Sequence, residues 1–93
     1  MTASVRLSDR QHAALLALAD LDGPATGGTL ASRMTRNGRE TSVAAAHQAA
    51  NGLTLKKLAV KGYPEGSSLI RYEITTEGRR LAVKFREQGQ AAP

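Results

Sequence analysis

Ninety-three residues suffice for one domain with a modest core and are too few for two. The balance of 41% hydrophobic and 23% charged residues is that of a soluble globular protein; no apolar run nears the roughly 20 residues that span a bilayer, the N-terminus has no basic-then-apolar signal, and the lack of Cys excludes disulfides and thiolate chemistry, so a cytoplasmic protein with no membrane partner is expected. The net charge of +5 is uneven: residues 1–35 are neutral overall, whereas residues 36–93 hold ten Lys/Arg against five Glu, an excess that points to an anionic partner such as nucleic acid.

Residues 1–6 read as a loose arm. Ser8 with Gln11 three places on fits a capping box, with Asp9 well placed in the first turn. Ala14, Leu15, Leu18 and Leu21 then form the buried stripe of a first helix, which Asp22-Gly23-Pro24 ends, Gly23 taking the left-handed cap. Thr26 caps a shorter second helix with Leu30, Ala31 and Met34 inward, although Gly27 and Gly28 are poor helix formers in its first turn. TRNGRE (35–40) is the turn that follows. Asn37-Gly38 is a turn signal, and Asn37 with Glu40 also fits a capping box for the next helix.

A third helix is expected from near Thr41 to near Lys57. Val43, Ala46, Ala50 and Leu53 recur at i, i+3, i+7 and i+10 as one apolar stripe, which places Thr41, Ala45, Gln48, Gly52 and Lys56 on the opposite side. That outer face is small and polar, and a thin helix face can enter a groove closely. Leu55 projects outward if the helix is continuous; either the helix bends near Asn51-Gly52 or Leu55 covers a neighbour. His47 and Asn51, one turn apart at the stripe's edge, are read as a packed, hydrogen-bonded pair in preference to the alternative, a pair of base contacts.

After Leu58 the pattern changes. LAVKGY (58–63) and LIRYEIT (69–75) are rich in β-formers around Pro64-Glu65-Gly66-Ser67-Ser68, and Ile70, Tyr72 and Ile74 alternate with Leu69, Arg71 and Glu73, so a β-hairpin is expected. Thr75 or Thr76 caps a last helix, EGRRLAVKFRE, with Leu81 and Phe85 inward, and QGQAAP is a frayed tail. With aromatics limited to Tyr63, Tyr72 and Phe85, the core must be aliphatic, and a stacking platform for single strands or RNA is disfavoured. The fold class is therefore mainly α with a small β-hairpin, a single domain over 7–88 with flexible tails at 1–6 and 89–93.

The order helix, helix, helix, hairpin, helix resembles the winged helix-turn-helix DNA-binding domain: a three-helix core, a β-wing and a C-terminal helix. Thr26–Met34, a turn and Val43 look like the helix-turn-helix. Arg71 through Leu81, RYEITTEGRRL, looks like the wing's return strand running into the next helix of MarR-like and PadR-like bacterial regulators. The likeness covers residues 7–87 and has departures. The stretch around the turn and third helix is several residues longer than usual. Lys56-Lys57 replaces a Gly before the wing, Glu65 sits at the wing tip, and there is little room for long dimerisation helices.

The resemblance implies a sequence-specific double-stranded DNA-binding protein, a small repressor-like regulator whose third helix reads the major groove. Gln48 would bond adenine N6 and N7. Thr41 and Ser42 at the helix start would meet phosphates, and Ala45 would offer its methyl to a thymine. Arg36 and Arg39 would clamp phosphates from the turn, and Lys56, Lys61 and Arg71 would contact the backbone beside the wing. A homodimer through the C-terminal and first helices is expected. The rival is a winged-helix protein-interaction module that never touches DNA, favoured by outward Leu55 and acidic Glu65. No enzyme, metal or cofactor is expected: His12 and His47 lack further ligands, Gly27-Gly28 lacks the Lys-Ser/Thr ending of a phosphate loop, and no catalytic set is present.

Overall fold

The computed structural model describes residues 6–63 and 69–91, the last three through their backbone. Helix α1 (Asp9–Leu21) is followed by a short strand β1 (Ala25–Thr26), α2 (Gly27–Arg36), α3 (Val43–Leu55), β2 (Ala59–Gly62), β3 (Arg71–Ile74) and α4 (Thr76–Ala91). Four helices thus surround a small antiparallel sheet in the order β1-β3-β2. The expected turn at 64–68, with Glu65 at its tip, lies outside the described residues, as do the ends of both expected tails.

Local chemistry accounts for the helix ends. Ser8 and Gln11 form a reciprocal capping box on α1. Its C-terminus closes on Asp22, at φ 50°, and not on Gly23; an acidic side chain tolerates the left-handed cap better than most. Thr26 caps α2 by accepting from the Thr29 amide at 3.2 Å. The two readings of Asn37 resolve in favour of the turn. It is the C-cap of α2, its side-chain Nδ2 donates to Asp20 Oδ2 at 3.0 Å, and α3 is capped by Ser42 instead. Helix α3 therefore starts at Val43, later than expected. The last helix is capped by Thr75, whose Oγ1 accepts from the Gly78 amide at 3.0 Å and donates to the Lys57 carbonyl at 2.9 Å. It runs on to Ala91, beyond the Glu87 end expected from its apolar pattern.

The core is aliphatic, as the scarcity of aromatics requires. Leu15, Leu18, Leu30, Met34, Leu53 and Tyr72 are the largest fully buried side chains. The buried stripe of α3 is Ala46, Ala49, Ala50 and Leu53, and its three alanines let α1 and α2 approach closely. This corrects the expected face. Ala49 joins the stripe and Val43 leaves it, at 50% exposure, so the helix is rotated by a fraction of a turn from the position the spacing suggests. Spacing alone could not decide this, because alanine is equally at home inside and outside a helix bundle. The helix is continuous through Gly52, and Leu55 projects outward at 85% exposure.

In the wing, Tyr72 and Ile74 face the core while Arg71 and Glu73 face solvent, the alternation read from the sequence. Strand β3 pairs on one side with β2 (Lys61 opposite Tyr72, Gly62 opposite Arg71) and on the other with β1 (Ala25 opposite Tyr72). Strand β1 was not expected, since two residues carry no period. It pins the start of α2 to the wing. Gly78 marks the crossing of α4 over the wing root: a Cβ there would overlap the Leu58 carbonyl oxygen and Ile74 Cγ1.

Candidate nucleic-acid interface

Rotation of α3 decides what its solvent face presents. Val43, Ala44 and Gln48 are exposed, Asn51 and His47 are half-buried on the flank toward the wing, and Ala45 and Gly52 are half-buried on the flank toward α1. No charged side chain lies on α3 from end to end. Its N-terminus is capped, Ser42 Oγ accepting from the Ala45 amide at 3.1 Å, and Ser42 stands exposed beside it. Thr41 precedes the cap and is held in the turn. Its hydroxyl donates to the Arg39 carbonyl at 2.7 Å and its amide to Thr35 Oγ1 at 3.1 Å. Together with Gly28, Ala31, Ser32 and Thr35 of α2, residues 41–43 line a shallow open groove between the two helices.

Among the cations of the helix-turn-helix, the wing and α4, four sets stand apart. Arg36 at the end of α2, Arg39 in the turn and Arg71 on β3 are exposed. Lys61 on β2 reaches back to α3, its Nζ donating to Asn51 Oδ1 at 3.3 Å. Lys56 behaves differently from the expectation that it flanks the wing. It caps α3 at the end nearest the first helix, and its Nζ donates to the Arg6 carbonyl at 2.7 Å and to Gln11 Oε1 at 3.3 Å. Arg79 and Arg86 of α4 are used within the fold, paired with Asp22 and Asp20.

His47 and Asn51 are linked, though not to each other. The hydroxyl of Tyr72, wholly buried beneath α3, lies 2.7 Å from His47 Nδ1 and donates to Asn51 Oδ1 at 3.4 Å. The His47 and Tyr72 rings meet edge-on, 5.6 Å between centroids. Burial, with some help from Tyr63, pushes the Tyr72 phenol above its ordinary value. On its other side the His47 ring fills the space where a Gly27 Cβ would be. Gly27, a poor helix former in sequence terms, is thus required by packing. Val43 and His47 also border a hollow with Thr26, Gly28, Leu69 and Ile70, where the start of α2, the start of α3 and the wing converge.

Comparison with solved structures decides what this frame is. Lactococcus lactis ZitR, a zinc-responsive MarR family member, superposes over 95% of the chain with a TM-score of 0.72 at 18% identity. The adhesin competence repressor AdcR of Streptococcus pyogenes matches over 96% with a TM-score of 0.74, also at 18% identity. The fold is a winged helix. A ZitR variant solved in complex with DNA matches over 95% of the chain, with a TM-score of 0.72 at 18% identity. This winged helix spans less than two thirds of each neighbour: 57% of ZitR, 61% of AdcR and 56% of the ZitR variant. No protein-family model matches the chain, and no curated protein is similar to it in sequence.

Within the winged helix, Arg36, Arg39, Ser42, Gln48, Lys61 and Arg71 gather around the helix-turn-helix and wing. Thr41 is spent on the turn, Ala45 sits on a flank, and Lys56 belongs to the far end of α3. Sequence reasoning missed Val43 and Ala44, which the rotated helix turns outward in its first turn, and Ser32 and Thr35 of α2. For Val43 and Ala44 the missing signal was that Ala49 belongs to the core, which no pattern in the chain announces. Among the described residues no three His, Cys, Asp or Glu side chains gather as metal ligands, and no helix is long and apolar enough to cross a membrane.

Proposed function

We propose that the chain is a sequence-specific double-stranded DNA-binding protein, a small repressor-like transcriptional regulator working in the cytoplasm without catalysis. One observation carries this reading: a capped α3 with no charge along its length, exposed on a winged-helix frame and bordered by exposed arginines from the turn and the wing. A major groove accepts such a face because its floor offers donors, acceptors and methyl groups while its rims are phosphates. Gln48 reads a base edge, Val43 and Ala44 contact thymine methyls, and Ser42 meets a phosphate at the helix start. Arg36, Arg39, Lys61 and Arg71 hold the sugar-phosphate rails; Lys56, engaged with Arg6 and Gln11, is left out of the set.

The unit on DNA is a homodimer. Leu81 and Phe85 of α4 are partly buried against the core, whereas Val83 is 56% exposed, so α4 with α1 offers the pairing surface. Two copies on a two-fold site would set their α3 helices one helical turn of DNA apart, roughly 34 Å. The test is selection of bound sites from a random duplex library, followed by titration of the selected duplex at two salt concentrations. A defined site whose affinity falls steeply with salt supports the proposal. Failure to enrich any sequence, with no shifted band, supports the protein-interaction module instead.

A further inference from the structure

Tyr72 is the one side chain in the described structure that meets both His47 and Asn51, and its hydroxyl is buried where water cannot take its place. A phenol has one hydrogen to give and lone pairs to receive. All three contacts are satisfied together when His47 Nδ1–H donates to the Tyr72 oxygen, the Tyr72 hydroxyl donates to Asn51 Oδ1, and Lys61 Nζ donates to that same Oδ1. The 2.7 Å contact to His47 is the short one; those to Asn51, at 3.4 and 3.3 Å, are longer. The chain of bonds therefore runs from α3 through β3 and back to α3, and ends on a cation of β2.

We propose that His47 and Asn51 are positioning residues rather than base readers: through the Tyr72 hydroxyl and the gap at Gly27 they lock α3 against the wing and α2, and they fix where the Lys61 ammonium stands. His47 touches three elements at once. Its own helix carries it, Tyr72 bonds it from β3, and its ring lies in the cleft that Gly27 leaves at the start of α2. A reading helix gains from such a clamp, because base contacts are lost when the helix tilts by a fraction of an ångström. Asn51, an amide of the type that pairs with adenine, points its oxygen at Tyr72 and Lys61 instead. A positioning role has meaning only if α3 reads DNA, so it rests on the function proposed above; the tether is a property of the free protein.

Two measurements on the full chain test it. In the free protein, nitrogen-15 spectra of the His47 ring should show hydrogen on Nδ1, and Tyr72→Phe should shift that resonance while the fold is kept. On the selected duplex, Tyr72→Phe and Asn51→Ala should each lower affinity about two- to tenfold without changing the preferred base at any position, and the double variant should be no worse than the weaker single one. Asn51→Ala also serves if Tyr72→Phe fails to fold. A relaxed preference at a single base pair in Asn51→Ala or His47→Ala makes that residue a reader and overturns the proposal. An unmoved His47 resonance in Tyr72→Phe overturns it as well. If the wild-type chain binds no duplex, the function falls and the positioning role with it, while the resonance shift still reports the tether, so the two failures are told apart.

Discussion

Two basic regions of this molecule carry similar residues and do different work. On the α1–α4 side, Arg86 donates to Asp20 and to the Leu16 carbonyl, and Arg79 pairs with Asp22. The aspartates of α1 thereby turn cations of α4 into a fastening. On the α2–α3 and wing side, Arg36, Arg39 and Arg71 are exposed, and among the described residues they form no ion pair. The lesson is that the excess charge of +5 is not a diffuse attraction. What matters is which cations are already neutralised within the fold and which remain free along the uncharged face of α3.

The comparison predicts that breaking the internal α1–α4 fastening costs stability and leaves DNA affinity per folded molecule alone, while removing the exposed side chains of the α3 side does the reverse. The largest effect is expected for Gly78→Ala, whose new methyl overlaps the backbone oxygen of Leu58; overpacking of this kind costs up to about 3 kcal/mol, read by chemical denaturation. Gln48→Ala should cost about 1–3 kcal/mol of discrimination at one base pair, with stability unchanged; loss of affinity on cognate and random duplexes alike would mean that Gln48 reads nothing.

Asp20→Asn comes next, at about 1–2 kcal/mol of stability, because the paired Arg86 is half exposed and partly screened. Burial pushes the Asp20 carboxyl up, but hydrogen bonds from Arg86 and Asn37 and the charges of Arg86 and Arg33 outweigh it and hold its pKa below the ordinary 3.8. The stabilisation is therefore complete above the unfolded-state value and is lost as the pH falls through the depressed folded value. Acid denaturation of Asp20→Asn should lack that part of the pH dependence. The smallest effect is that of Arg39→Ala, which should weaken binding to every sequence alike and reduce the slope of log K against log salt by about 0.9; an unchanged slope would place Arg39 off the phosphates.

Much of the frame was legible. The capping box at Ser8, the cap at Thr26 and the alternation at Tyr72 and Ile74 each depend on chemistry within a few residues, and the structure has them where the sequence puts them. What was not legible depends on neighbours distant in the chain. The rotation of α3 is set by how closely α1 and α2 approach three alanines. Strand β1 exists only because β3 offers an edge to two residues. Lys56 is claimed by Gln11 and Arg6, which the sequence places 45 and 50 residues away. Lys57 takes a left-handed turn, φ 63°, at a place where glycine is usual in the resembling family, and it does so because Leu58 must bond back to Leu53 and Thr75 must reach the Lys57 carbonyl. For the site, residue types were readable and their direction was not: Gln48 is outward as expected, while Val43 is outward in place of inward.

The central claim is that the uncharged face of α3 and the unpaired cations beside it make one surface for double-stranded DNA. Hydroxyl-radical footprinting of the selected duplex, with the wild-type chain and with Arg36→Ala/Arg39→Ala/Arg71→Ala, tests it most directly. The account predicts protection of backbone on both rims of a major groove by the wild type, and loss of that protection in the triple variant with its thermal unfolding unchanged. Protection that persists in the triple variant, or that maps to the Arg79 and Arg86 side of the protein, would contradict it.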